Sequence, residues 1–297
     1  MNWVVVTALL LPGFAFAQAC CAGGSALTPG RLQLHEDAAV GLSLKFNDLE
    51  GSFDSRRRFL ANPRGAHELG FEQDLFATVR AFEHAQFTFL VPFVQTVRWV
   101  PSVSDVGGGL GDMNMAARYD FFGAGQHAII PGIAALAGLT LPSGRPPETS
   151  RRPLATDATG AGMFQVNLGL ALEQTFGPFV VNLSGLIALR TRREVNGLSS
   201  QLGPQLTALA ALGYTFENEA ALVLSASYAG ETDSFINDTR VMNSGRAQTT
   251  LALTGTLPLG DAWRLQGGVN CVLPISGLGQ NQTAGPGFTV TLIRAWL

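Results

Sequence analysis

The sequence predicts an all-β protein, a transmembrane antiparallel up-and-down β-barrel of about twelve strands with short periplasmic turns and long extracellular loops. Three observations predict it: side chains alternate in twos along most of the chain, long polar segments alternate with turns of two to five residues, and aromatic residues gather beside the tight turns. Successive side chains of a strand point to opposite faces, so the alternation gives each segment one greasy face and one polar or small face. Short turns on one side and long loops on the other are the habit of outer-membrane barrels, and amphipathic rings favour the headgroup level.

The pattern is clearest over residues 161–193. Phe164, Val166, Leu168, Leu170 and Leu172 fall on one side, and Gln165, Asn167, Gly169, Ala171 and Glu173 on the other. Phe176-Gly177-Pro178-Phe179 turns the chain, and Phe179, Val181, Leu183, Gly185, Ile187 and Leu189 resume the series. Each limb matches the roughly 9–11 residues that a tilted strand needs to cross a bilayer.

The remaining strands follow the same rule. Strand one is expected at about 31–46, with Leu32, Leu34, Ala38, Val40, Leu42, Leu44 and Phe46 on one face, and a polar segment follows at 47–67. Strands two and three occupy about 68–82 and 87–100, and a Pro/Ser/Gly-rich loop is expected at 101–110. Strand four (111–122) is followed by a short turn, Gly123 to Gln126, strand five (127–141) and a long polar loop at 142–160. After the hairpin of strands six and seven come strands eight (202–217), nine (220–230), ten (245–258), eleven (262–274) and twelve (286–297), with Arg294 interrupting the outward series of the last. An even strand number returns both ends to the periplasm, and closure removes unpaired edges. A soluble sandwich or jelly roll would also alternate, but its greasy side would be the inside, and aromatics would not collect at the turns. Here Phe82 and Phe87, Phe121 and Phe122, Phe176 and Phe179, Tyr214 and Phe216, and Trp263 all stand beside tight turns.

Composition agrees. Of 297 residues, 46% are hydrophobic and only 14% charged, against roughly a quarter charged in soluble domains. A net charge of -3 argues against a nucleic-acid partner, which needs a basic face. Residues 1–17 are apolar and end in Ala15-Phe16-Ala17, an expected signal peptide, with 18–30 as an N-terminal periplasmic segment and 31–297 as the barrel. Beyond residue 17 the best apolar run, Ala128 to Leu141, is too short for a spanning helix and contains Pro131. The odd set Cys20, Cys21 and Cys271 gives no disulfide framework.

Over residues 108–172 a family pattern emerges. Gly108-Gly109-Leu110-Gly111-Asp112, Ala117-Arg118-Tyr119, Gly138-Leu139-Thr140-Leu141-Pro142-Ser143-Gly144, Thr159-Gly160 and Leu168-Gly169-Leu170 follow in order. The chain thereby resembles the outer-membrane family "MetA-pathway of phenol degradation". That resemblance implies an outer-membrane location and a role in passage of aromatic or hydrophobic compounds. It supplies no catalytic residues.

The chemistry available fits conduction better than catalysis. His35, His67, His84 and His127 form no hydrolase constellation, and a His/Glu neighbour pair on a strand points its side chains apart. No enzymatic activity, cofactor or metal is expected. The predicted inward groups are Glu72, Asp74, Arg80, Arg98, Asp112, Arg118, Asp120, Asn167, Glu173, Asn182 and Arg190. Mixed signs suit either a pore lining or ion pairs that plug the lumen of a structural or surface-interaction barrel. Partners are expected to be outer-membrane lipids and a small-molecule solute. Arginines of the long loops (Arg56, Arg57, Arg58, Arg64, Arg145, Arg151, Arg152, Arg192, Arg193, Arg240, Arg246) suit either lipopolysaccharide phosphates or ordinary solvation.

Overall fold

The computed structural model describes residues 31–126 and 129–297; the expected signal peptide, the segment 18–30 and the Cys20–Cys21 pair lie outside them. Twelve strands make the wall: β1 Ala38–Leu49, β2 His67–Phe82, β3 Ala85–Val100, β4 Met113–Phe122, β5 Gly132–Leu141, β6 Gln165–Phe176, β7 Phe179–Arg190, β8 Gln205–Thr215, β9 Ala221–Glu231, β10 Arg246–Pro258, β11 Trp263–Val272 and β12 Thr283–Trp296. Chain neighbours pair antiparallel throughout, and β1 closes on β12 from Ala38↔Trp296 to Asn47↔Gly287. No described helix is long and apolar enough to span a membrane; the strands close into one sheet, the arrangement in which strands can cross a bilayer.

The two faces separate as the alternation requires. Leu168, Leu170, Leu183 and Ile187 expose 50–57% of their surface, whereas Ala171, Glu173 and Asn182 expose 4% or less. The turn between β6 and β7 needs only Gly177 and Pro178 because Gly177 adopts φ 58°, the left-handed conformation that a glycine-first hairpin turn demands. Exposed rings encircle the periplasmic end, with Phe179 edge-on to Tyr214 at 5.2 Å and Tyr214 edge-on to Phe216 at 4.9 Å. Arg294 stays in the outward series of β12. Its guanidinium lies 5.0 Å from the Trp296 ring centre and 5.6 Å from that of Trp263, so two indole faces shelter the charge at the interface.

Four expectations are corrected. The wall begins at Ala38, not at residue 31, and Leu32 is buried against Ala39, Phe76, Ile293 and Ala295 instead of facing lipid. An apolar residue that enters the lumen keeps the same parity as one that faces lipid, so alternation alone runs on past the strand. The loop expected at 101–110 is largely a strand, Val103–Leu110, folded back antiparallel on β3. Its Gly107-Gly108-Gly109 run carries no side chains to display a period, and a Cβ on Gly108 would come within 2.4 Å of the Val94 carbonyl oxygen. Strand five starts at Gly132, after Pro131, whose missing N–H excludes it from the ladder, so the connection from β4 is longer than a tight turn. The polar loops also carry structure. Gly51–Phe53 and Phe59–Ala61 extend β12, and Arg193–Val195, Leu198–Gln201, Phe235–Ile236 and Thr239–Arg240 form a small sheet above the rim.

Candidate functional site: the barrel lumen

The inward faces enclose a chamber of about 700 Å³. Its wall is divided by strand. Phe76 on β2, Leu90 and Pro92 on β3, Leu136 on β5, Leu186 on β7 and Leu209 on β8 give a half that carries most of the apolar residues, interrupted by Thr88, Asn114, Asn167, Gln205 and Thr207. Ser225 and Ser227 on β9, Thr254 on β10, Gln266 and Asn270 on β11, Thr291 on β12 and Ser43 on β1 give a hydroxyl and amide half. Where the halves meet, Lys45 on β1 places its Nζ 2.8 Å from Glu72 Oε1 and 2.6 Å from Asp74 Oδ2. This arrangement follows from register: Ser43 pairs with Asp74 and Lys45 with Glu72, so all four point inward together.

Residues 31–37 enter the periplasmic end of the lumen. Arg31 donates to Glu173 on β6 at 2.6 Å, and Glu36 accepts from Arg264 on β11 at 2.9 Å. Those strands stand five apart around a wall of twelve, so the segment crosses the lumen. Arg80 holds it from a third side, donating to the carbonyls of Gln33 (2.6 Å) and Glu36 (3.0 Å), while the Leu32 N–H donates to Gln86 at 3.1 Å.

The eleven predicted inward residues therefore sort into three levels. Glu72, Asp74 and Asn167 line the chamber. Below it, Arg118 lies between Asp120 (2.7 Å) and Glu173 (3.3 Å), Asn182 donates to Glu173 at 2.7 Å, and Arg80 grips the N-terminal segment. Towards the extracellular mouth, Arg98 is bidentate to Glu68 and donates to the Leu154 carbonyl, and Arg190 is 2.5 Å from Glu231. Asp112 departs from its expected place in a strand: it lies between Leu110 and Met113 and accepts the backbone N–H groups of Gly144 (2.9 Å) and Ala161 (2.6 Å), pinning the 142–160 loop. Sequence reasoning passed over Lys45 and the inward apolar residues Phe76, Leu136 and Leu209. The signal was available, since the parity that sends Leu44 and Phe46 to lipid sends Lys45 inward.

The extracellular loops are held by their own charges. Asp157 accepts from Ser150, the Arg151 N–H and Arg145, and these bonds, the Ser150 hydroxyl foremost, hold its carboxyl well below the usual carboxylate range. The Gly245 N–H and the Arg240 guanidinium likewise lower the Asp233 carboxyl from its ordinary value. Six of the loop arginines (Arg58, Arg145, Arg152, Arg192, Arg193, Arg240) are ion-paired to loop or rim carboxylates.

A closed wall with an outward apolar belt, aromatics at its rim and polar groups within defines an outer-membrane β-barrel of the Gram-negative envelope. More particularly, the chain belongs to the family described as "Putative MetA-pathway of phenol degradation", whose model matches residues 62–270. Among solved structures it is similar to the COG4313 outer membrane channel from Pseudomonas putida F1, with a TM-score of 0.69 and 13% identity over 88% of this chain and 96% of that one. It is also similar to the translocator domain of the autotransporter NalP from Neisseria meningitidis, with a TM-score of 0.51 and 10% identity over 92% of each chain. At such identities the likeness is one of fold. No curated protein matches the sequence.

Proposed function

We propose that this barrel is a passive outer-membrane channel for small solutes, aromatic or hydrophobic compounds among them. The observation that carries the reading is the mixed lining of the chamber, in which the side carrying most of the apolar residues faces a hydroxyl and amide side. A solute with an apolar body and a polar edge finds both partners there, whereas a wholly polar sugar leaves the leucine side unmatched. The family description, with its reference to phenol degradation, and the channel named among the similar structures support the same direction. The inward charges then serve as pore lining and as struts.

One observation favours a second reading: the N-terminal segment crosses the lumen and is tied at Glu173, Arg264 and Arg80, as a plugged structural barrel would require. Solute uptake separates the two. Proteoliposomes with an outer leaflet of lipopolysaccharide, which slows leakage through lipid, are exposed to small aromatics, sugars and ions. A channel gives protein-dependent uptake ranked with aromatics above sugars of equal size. Uptake equal to that of protein-free vesicles for every solute would establish the plugged barrel instead.

A further inference from the structure

The charges of the lumen are not evenly balanced along its length. Near the ends most cancel, Arg80 excepted: Arg31 and Arg118 with Asp120 and Glu173, Arg264 with Glu36, Arg190 with Glu231, and Arg98 with Glu68. Arg80 turns its donors to backbone carbonyls of the N-terminal segment and the β2–β3 turn. Within the chamber the charged lining residues are Lys45, Glu72 and Asp74, one cation against two carboxylates. Lys45 reaches one oxygen of each. The second oxygen of Asp74, Oδ1, has no hydrogen-bond partner although the side chain is 2% exposed. Beside it the wall offers neutral oxygens, with Ser43 in register with Asp74 and its hydroxyl 2.9 Å from that of Thr291.

We propose that Asp74, together with Glu72, makes this chamber select small monovalent cations over anions, with Lys45 setting how strongly. The inference rests on the channel reading above. A single excess negative charge in the chamber acts on every ion that passes, because protein walls focus its field. Carboxylates set on the wall beside the Ser43 and Thr291 hydroxyls are the kind of lining that replaces part of a cation's hydration shell. Lys45 halves the acidic charge without abolishing it, which keeps binding weak enough for an ion to leave.

The test is the reversal potential of the purified full-length protein in planar bilayers under a KCl gradient at neutral pH. The wild type is expected to favour K⁺ over Cl⁻. Asp74→Asn and Glu72→Gln should each lower the permeability ratio by about two- to fivefold, and Lys45→Met should raise it. Heat-modifiable migration on gels checks that each variant is folded; should Asp74→Asn fail to fold, Glu72→Gln and Lys45→Met carry the test. A wild type that is non-selective or anion-selective, or ratios unchanged in folded variants, overturns the selectivity while leaving a channel. A wild type that never conducts removes the channel reading and this inference with it.

Discussion

At the scale of single residues, the lumen is organised around small residues that make room for large ones. Gly41 on β1 lies beneath the Phe76 ring, and a Cβ placed there would stand 2.2 Å from the ring's Cζ. The ring in turn is fully buried and packs with Leu32, Ala39 and Ile293 at the base of the chamber. Gly41→Ala should therefore force Phe76 aside and cost about 1–3 kcal/mol, seen as a lower urea midpoint for unfolding from lipid vesicles with an unchanged slope. An unchanged midpoint would mean that the ring is not seated there. Residue identity was legible in the sequence where it changes parity sharply, as at Leu168 against Asn167. It was less so for Lys45, Leu136 and Leu209, because an inward apolar residue breaks the polar face without announcing a chamber.

At the scale of elements, the strands were legible and their ends were not. A β-ladder needs alternating side chains to reveal itself, so β6 and β7 read plainly and the triglycine strand Val103–Leu110 did not. The segment 31–37 was misplaced for the opposite reason. Leu32 and Leu34 continue the alternation of β1, yet Leu32 is buried in the lumen while Leu34 is 78% exposed. What turns the chain inward is long-range charge, Arg31 to Glu173 and Glu36 to Arg264, and no local pattern shows it.

The long loops make an element-scale prediction of their own. Asp157 and Asp233 are more acidic folded than the ordinary 3.8, so their bonds are fully present above that pH and are lost as pH falls through the lower folded values. Hydrogen exchange in loops 142–160 and 231–244 should stay slow at neutral pH and accelerate as pH drops below about 4, after correction for intrinsic rates, while the strands remain protected. Loops that loosen at alkaline pH instead would contradict the assignment.

At the scale of the whole molecule, one geometric rule yields both the membrane placement and the passage. Every second side chain meets lipid, and those between meet the lumen, where the strand order gathers most of the inward apolar residues on β2 to β8 and many of the hydroxyls and amides on β9 to β1. Alternation foretold the first consequence. The second needed the register, since which inward residues share a level is set by pairings such as Ser43↔Asp74 and Lys45↔Glu72, which sequence leaves open.

The most direct measurement is protein-dependent uptake of one small aromatic solute by the wild type and by Ala116→Phe, which places a ring into the chamber from β4. If solutes pass through the chamber, the folded variant should lose most of that uptake while the wild type retains it. Equal uptake by both would show that the solute takes another route and would contradict the account.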